Sequence, residues 1–193
     1  MGLFFAMKIQ LIKSENQQTS EWSGGTTTQL YIYPESADFS KRDFAYRISS
    51  AKVEIDESTF TPFPNYNRKL MVLEGVLDLN HEDHYTVQLH PFGQDAFSGD
   101  WTSRSKGKVI DFNVIFSKDY SARLFHFELS KGEEIQLNCK EMSLLYVLHG
   151  NLILDKKCAD KKDLFVVNGV GEVSMKANSN TLIIATQLNK IED

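Results

Sequence analysis

One pattern in the sequence recurs 75 residues later, and it constrains the fold more than any other feature. Residues 70–79, LMVLEGVLDL, align without a gap on residues 145–154, LYVLHGNLIL. Each copy reads as a strand, a glycine turn and a second strand. The six identical positions are Leu70/Leu145, Val72/Val147, Leu73/Leu148, Gly75/Gly150, Leu77/Leu152 and Leu79/Leu154.

A chance match between two ordinary strands is the alternative to a true duplication. A second correspondence, between residues 95–97 and 163–165, favours duplication. We therefore predict two tandem antiparallel β-barrels, at residues 7–116 and 117–188. Because nothing between residues 116 and 122 resembles a flexible linker, we expect the two halves to form one compact body.

Short segments rich in β-branched and aromatic residues occur along the whole chain, separated by glycine and asparagine turns. No window of a dozen residues shows a helical period with a cap at each end. The sequence therefore predicts an all-β fold. The predicted strands are 29–33, 44–55, 70–74, 76–79, 85–89, 109–116, 123–129, 134–137, 144–148, 151–154, 164–167, 172–177 and 181–188.

The composition is that of an ordinary globular protein, with 41% hydrophobic and 24% charged residues among 193. The formal net charge is -5. Neutralising phosphates requires clustered lysine and arginine, so this charge argues against nucleic acid as a partner.

Cys139 and Cys158 are the two cysteines, and they form neither a CxxC pair nor a disulfide-dense framework. We expect a reducing, cytoplasmic location, with one disulfide left open. No run reaches the ~18 apolar residues of a membrane span, so we expect no membrane partner. The apolar residues 2–7 are too short for a signal sequence, and are read as a strand start or an addition to the native chain.

A set of weak motifs follows a fixed order along the chain: Trp-Ser-Gly-Gly-Thr-Thr-Thr at 22–28, Tyr-Arg at 46–47, Phe60, Phe-Pro-Asn-Tyr-Asn-Arg at 63–68, Leu-Glu-Gly at 73–75, Phe-Ser-Gly-Asp at 97–100 and Asp-Phe-Asn-Val at 111–114. Together, in this order and spacing, they resemble the HutD/Ves family of small bicupin-like proteins. The resemblance extends from about residue 7 to residue 188. Asn65 stands where the family usually has glycine, and a left-handed backbone tolerates this exchange.

The resemblance implies a bicupin, with two tandem antiparallel jelly-roll-like barrels. It also links the chain to the control of histidine utilisation through a formylated or carboxylated intermediate.

Metal-dependent cupins use an HxH pair, a nearby glutamate and a distant histidine as ligands. Neither residues 62–73 nor residues 137–148 contain a histidine. We therefore expect no metal and no other cofactor. The cluster His81-Glu82-Asp83-His84 is the one local group of ligand types, and a solvated acidic loop is its simpler interpretation.

Covalent catalysis is not supported, because no histidine lies at a motif spacing from either cysteine and no GxSxG motif occurs. We assign no catalytic residue. Gly24 and Gly25 lack a phosphate-binding motif around them, and a turn that leads into the strand 29–33 is the simpler interpretation.

The candidate ligand site consists of polar residues on predicted strands of the first half. In the strand 44–55, Arg47 shares a face with Ser49 and Ala51, and Tyr46 lies on the other face. Asp111 and Asn113 lie two residues apart on one face of their strand. We predict that Arg47 and Arg68 bind a carboxylate, since a guanidinium presents a planar fork of donors. Asp111 and Asn113 would orient the arginines. Alternatively, an Arg-Asp pair only stabilises the strand register.

We predict that Phe63, Tyr46 and Trp22 form the apolar wall of this site. The favoured hypothesis is a metal-free protein that binds a small carboxylate. One alternative is a metal-independent isomerase or epimerase, with Asp111 or Glu74 as the base. Another is a stress-response interaction protein without activity. The oligomeric state stays open, with a homodimer as one option.

Overall fold

The structure is a computed structural model that describes residues 7–191. These residues form nineteen strands and one short 3₁₀ turn at Ser14–Asn16, which confirms the prediction of an all-β chain. The strands are β1 (Lys8–Ile12), β2 (Gln18–Trp22), β3 (Gly25–Tyr33), β4 (Tyr46–Val53), β5 (Glu57–Thr59), β6 (Tyr66–Glu74), β7 (Leu77–His81), β8 (Tyr85–Leu89), β9 (Gln94–Ser98), β10 (Ser103–Lys106), β11 (Ile110–Ser117), β12 (Tyr120–Leu129), β13 (Glu134–Cys139), β14 (Met142–His149), β15 (Leu152–Leu154), β16 (Lys157–Ala159), β17 (Leu164–Asn168), β18 (Gly171–Ala177) and β19 (Thr181–Lys190).

Residues 18–120 form the first unit, which contains two antiparallel sheets. The larger sheet has the order β2-β3-β4-β11-β6-β9, and the smaller has the order β5-β10-β7-β8. Side chains on a strand alternate between its two faces, and apolar residues from both sheets form one buried cluster. That cluster includes Leu70 and Val72 of β6, Leu77 and Leu79 of β7, and Phe97 of β9.

The second unit consists of residues 7–17 and 121–191. Its sheets have the orders β1-β17-β14-β19-β12 and β13-β18-β15-β16. The first strand, β1, pairs along its whole length with β17. The sequence had grouped this strand with the residues up to 116. Its pairing partner lies more than 150 residues away in the chain, and no local pattern encodes such a contact.

The repeated hairpins of the sequence occupy equivalent places in the two units. Gly75 and Gly150 have φ values of 87° and 81°, which favour glycine. A Cβ at Gly75 would lie 2.5 Å from the Lys108 carbonyl oxygen, and one at Gly150 would lie 2.3 Å from the Asn180 carbonyl oxygen. Each of those carbonyls precedes the strand that pairs with the hairpin, β11 or β19. Both glycines therefore allow a close approach of the backbone at the same point of the sheet.

The second sequence correspondence is shifted by two residues. The Val72 amide donates to the Gly93 carbonyl, whereas the equivalent Val147 amide donates to the Asp163 carbonyl. Asp163 therefore matches Gly93 and not Asp95. The predicted match between residues 95–97 and 163–165 is therefore wrong. The two Asp-x-Phe triplets have similar side chains, but similar side chains do not determine the register of a strand pair.

His81 is buried in the first unit, with both ring nitrogens hydrogen-bonded. Its Nε2 lies 2.7 Å from Asp95 Oδ2, and its Nδ1 lies 2.6 Å from Ser103 Oγ. The Tyr85 hydroxyl donates to Asp95 Oδ1. This network joins β9 of the larger sheet to β7 and β10 of the smaller one. The prediction that residues 81–84 form a solvated loop is therefore wrong for His81. Although Ser103 contacts a histidine, its side chain is too deeply buried to act as a nucleophile.

We expect His81→Leu to lower the free energy of unfolding by about 3 kcal/mol, because it leaves Asp95 and Ser103 without their partner. Urea denaturation measures the change. His90→Leu is the matched control, since His90 is exposed, and it should change stability by less than about 0.5 kcal/mol. Equal effects of the two variants would contradict a stabilising role of the network.

Asp163 anchors the residues that follow β1. Its carboxylate accepts hydrogen bonds from Lys13 Nζ at 2.7 Å and from the backbone amides of Ser14 and Asp160 at 2.8 Å each. Burial by itself would raise the pKa of Asp163. The three donors outweigh burial, so its pKa lies below the ordinary value.

Asp163→Asn should therefore destabilise the protein at neutral pH, by about 1–3 kcal/mol. An aspartate with a depressed folded-state pKa contributes stability above its unfolded pKa of about 3.9 and loses it as pH falls through the folded pKa. The difference between wild type and variant should thus be full above about pH 5 and shrink in stronger acid. Urea denaturation across this range, with the exposed Asp155→Asn as control, tests both the direction of the stability difference and the pH range over which it changes.

The two cysteines are both free, with Cys139 buried and Cys158 exposed. The disulfide that the sequence left open is therefore not formed. In residues 7–191 no helix is long and apolar enough to cross a membrane. Residues 2–6 of the apolar N-terminal segment lie outside the described residues.

Candidate functional site

Three neighbouring strands of the larger sheet in the first unit place the two predicted arginines in one row. Ile115 of β11 pairs with Arg47 of β4 on one side and with Arg68 of β6 on the other. Adjacent strands lie about 4.8 Å apart, so the two arginine Cα atoms are separated by about 10 Å. Paired residues project to the same face, and both side chains therefore point to the interior.

The next two rows on the same face carry the predicted aspartate and asparagine. Asn113 pairs with Ser49, and Asp111 pairs with Ala51. All of these residues line a cavity of about 320 Å³. The polar side chains are deeply buried, with exposed fractions of 7% for Arg47, 5% for Arg68, 3% for Asp111 and 7% for Asn113.

Arg47 is held in place by neutral partners. Its Nε donates to Gln29 Oε1 at 2.8 Å, and its Nη1 donates to Ser49 Oγ at 3.4 Å. The guanidinium carbon lies 3.9 Å from the centre of the Phe39 ring, within the range of a cation-π contact. Burial lowers the pKa of Arg47 to about 10. The side chain thus keeps its positive charge at neutral pH.

Arg68 has fewer polar partners and more aromatic ones. Its Nη1 donates to the Thr61 carbonyl at 3.5 Å, and its Nε has no hydrogen-bond partner. The guanidinium carbon lies 4.6 Å from the Phe60 ring centre and 5.3 Å from that of Phe97. Burial lowers the pKa of Arg68 to about 10, with Asp111 acting in the opposite direction.

Asp111 and Asn113 each have a buried side-chain oxygen without a donor. These two Oδ1 atoms and the Nε of Arg68 account for three of the four such atoms in residues 7–191. Burial raises the pKa of Asp111 to about 7, against the effects of Arg68 and of a backbone hydrogen bond from Ala51. Within the described residues no ion pair joins Asp111 to either arginine. The alternative, an Arg–Asp ion pair that only stabilises the strand register, is therefore not formed.

The cavity thus offers charged donors in the row of Arg47 and Arg68, and unpartnered acceptors in the next two rows of the same sheet face. Buried polar groups normally have hydrogen-bond partners, because the free-energy cost of desolvating an unpaired group is not compensated. Three unpaired atoms around one cavity are therefore a feature of a binding site more than of a core. The arrangement can accept an anion at the guanidinium groups and an N–H or O–H donor at the oxygens.

The model of the HutD family matches residues 14–184, which is most of the chain. The chain belongs to the HutD family.

Solved structures of HutD-type and cupin-type proteins share its fold. The Pseudomonas aeruginosa PAO1 protein PA5104, described as a conserved protein of unknown function, has 20% identity and a TM-score of 0.79, over 95% of this chain and 100% of that one. HutD from Pseudomonas fluorescens SBW25 has 20% identity and a TM-score of 0.72, over 94% and 100%. YhhW from Escherichia coli has 13% identity and a TM-score of 0.75, over 96% and 100%. No curated protein matches the chain.

In this HutD-family chain, six of the seven predicted site residues line the cavity. They are Trp22, Arg47, Phe63, Arg68, Asp111 and Asn113. Tyr46 does not line it, which corrects its predicted place in the apolar wall. As a neighbour of Arg47 in the same strand, it points to the opposite face. There its ring stacks on Tyr33 at 5.0 Å and contacts Tyr120 edge-on at 5.3 Å.

Several cavity residues were not among the predicted site residues. Phe39 belongs to the irregular segment between β3 and β4, and no periodicity marks it. Gln29 holds Arg47 without lining the cavity itself. It lies on β3 opposite Ser49, a long-range pairing that the sequence does not show. Phe60 is different, because it is one of the family motifs and could have been included on that ground. Glu74, the second candidate base, is exposed and does not line the cavity.

The second unit of this HutD-family chain has apolar residues where the first has its polar pair. The equivalent ladder pairs are Leu70/Asn113 with Leu145/Ala185, and Val72/Asp111 with Val147/Ile183. Ile183 and Ala185 are fully buried in the core of the second unit. The same ladder is thus built without charge, so the fold itself does not require Asp111 and Asn113.

Among the described residues, no group of three or more histidine, cysteine, aspartate or glutamate side chains could hold a metal ion. At the predicted cluster, the two nitrogens of His81 are engaged by Ser103 and Asp95. The ring of His84 stacks on Trp101, with the ring centres 3.7 Å apart.

We expect Asp111→Asn to stabilise the empty protein, and to do so more as pH rises. An aspartate whose folded pKa is raised to about 7 costs stability progressively between its unfolded pKa of about 3.9 and pH 7. The loss of stability is therefore complete above pH 7 and absent in acid. The neutral amide of the variant does not titrate, so the variant avoids this loss.

Urea denaturation at pH 5 and pH 8 measures this difference. Asp78→Asn is the control, because Asp78 is exposed on β7. A stabilisation by Asp111→Asn that is equal at the two pH values would contradict the burial of a titrating carboxyl group.

Proposed function

We propose that this HutD-family protein binds a small carboxylate or a formylated, amino-acid-derived ligand in the cavity of its first unit, and that it acts through this ligand in histidine utilisation. Family membership supports the link to histidine utilisation. The Pseudomonas fluorescens relative has a structure described as a formate condition, which is consistent with a ligand of this class.

The observation that carries the proposal is the pair of buried guanidinium groups without an acidic partner. A charge-assisted bidentate contact to a carboxylate is about twice as strong as a neutral hydrogen bond. A cavity of about 320 Å³ lies at the lower end of the range for ligand sites. The ligand is therefore small and carries at least one carboxylate.

The unpartnered oxygens of Asp111 and Asn113 add a second requirement. The Asn113 oxygen accepts a hydrogen bond, and the Asp111 carboxyl accepts one when ionised and donates one when protonated, so the ligand should supply an N–H or O–H donor as well as an anion. A formylated amino acid meets both needs, since it combines a carboxylate with an amide N–H. Phe63 and the partly exposed Trp22 and Phe39 supply apolar surface beside these groups.

We expect a carboxylate ligand to raise the melting temperature of the wild type, and Arg47→Met or Arg68→Met to abolish this shift. Stabilisation grows with the logarithm of ligand concentration over Kd. Thermal melts with formate, formylglutamate, urocanate and glutamate measure it. Arg104→Met is the matched control, because Arg104 is exposed on β10, and it should keep the full shift.

The same variants test the alternative in which the arginines only stabilise the strand register. Neither arginine forms an ion pair, so each empty variant should stay folded with stability close to the wild type. A loss of about 3–5 kcal/mol, the cost of breaking a buried pair, with no response to any carboxylate, would end the binding proposal for this site.

The interpretation of the chain as a bicupin is part of the same proposal. It is supported by the equivalent glycine hairpins, by the matching ladders on β11 and β19, and by the cupin-type solved structures that share the fold. In this interpretation the ancestral unit was duplicated, and the buried arginine pair with Asp111 and Asn113 belongs to the first copy.

A metal-independent isomerase is the alternative, and one observation favours it. The pKa of Asp111, raised to about 7 by burial, suits a general base. However, the other titratable groups among the described lining residues are Arg47 and Arg68, and an epimerase needs a second acid. Turnover of an amino-acid derivative by the pure protein would favour the enzyme. The open cavity argues against an interaction module with a filled interior.

A further inference from the structure

We propose that the cavity of the first unit takes up its carboxylate together with one proton, which Asp111 holds and shares in a hydrogen bond with the bound anion. This inference rests on the proposed function and adds to it a rule for how the site responds to pH.

The groups that face Asp111 are few. Arg68 on β6 lowers the pKa of Asp111 by its charge, Arg47 on β4 lines the same cavity, and Asn113 lies two residues further along β11. The other described residues that line the cavity carry no titratable side chain. Asp111 is therefore the one acidic group that a ligand in this cavity meets.

Asp111 has few of the contacts that keep a buried carboxylate ionised: a backbone hydrogen bond from Ala51 and the charge of Arg68 favour the ionised form, and burial outweighs both. Its Oδ1 accepts no hydrogen bond, and no ion pair joins it to an arginine. A ligand carboxylate would engage the guanidinium donors and bring a second negative charge into the same small space. Two carboxyl groups at close range cannot both ionise at low cost, so one of them holds a proton.

Asp111 is the group that takes the proton. Burial already raises its pKa to about 7, whereas the arginines favour the ionised form of the ligand. The proton comes from solvent and forms an O–H bond on Asp111. That O–H donates to a ligand oxygen, and so relieves both the repulsion and the unpartnered state of the aspartate.

The inference predicts a specific pH profile. Below about pH 6.5 Asp111 is largely protonated before binding, so Kd should be nearly constant. Above about pH 7.5 each binding event takes up close to one proton, and Kd should rise about tenfold per pH unit. Formate is a suitable probe, because it stays ionised throughout the range from pH 6 to 8.5.

Isothermal titration calorimetry with formate and with formylglutamate tests the inference. At pH 8, titration in two buffers of different ionisation enthalpy gives the number of protons taken up, expected to be close to one. In Asp111→Asn the amide still offers a donor, so binding should persist with a flat Kd and no proton uptake. Asp78→Asn, an exposed exchange of the same kind, should keep the wild-type profile.

The possible outcomes separate this inference from the proposal beneath it. Binding with a flat Kd and no proton uptake in the wild type would overturn the inference and leave carboxylate binding intact. Proton uptake that persists in Asp111→Asn would also overturn it, because another group would then titrate. Absence of binding by both probes would refute the proposed function, and the inference with it.

Discussion

Burial of two unpaired guanidinium groups on one sheet face is the constraint around which the first unit is organised. Taking a charge out of water is costly unless neighbours replace its hydration. Here Gln29 and Thr61 supply polar contacts, and the faces of Phe39, Phe60 and Phe97 lie against the two guanidinium groups. These neighbours come from β3, from the segments flanking β4 and β5, and from β9. Their convergence keeps the charges in place without neutralising them.

The two units differ in the residues that occupy equivalent positions of this ladder. The second unit uses Ile183 and Ala185 on the ladder where the first uses Asp111 and Asn113, and both belong to its apolar core cluster. An apolar core stabilises two packed sheets at a lower free-energy cost, since every buried polar group needs a partner. The polar interior of the first unit is therefore explained better by binding than by folding.

Much of the fold could be predicted from the sequence, and the omissions have a common cause. All thirteen predicted strands overlap observed ones. Five of the six missed strands lie at the edges of their sheets: β1, β2, β5, β9 and β16. Edge strands are commonly short and polar, as in Glu57–Thr59, and such strands lack the alternation that identifies an inner strand. The exception is β1, whose sequence Lys-Ile-Gln-Leu-Ile does alternate. The sixth, β10, consists of Ser-Arg-Ser-Lys and gives no apolar signal.

The candidate site could likewise be predicted only in part from the sequence. Two-residue alternation was enough to place Arg47 apart from Tyr46, and Asp111 with Asn113, because the geometry of a strand is local. The apolar hairpins around Gly75 and Gly150 were likewise evident from the repeat. Only the tertiary structure decided that Arg47 and Arg68 share a row across Ile115, that neither pairs with Asp111, and that β1 joins the second unit. Those facts depend on register and on contacts between distant segments, which many side-chain patterns satisfy equally and only the packed sheets select.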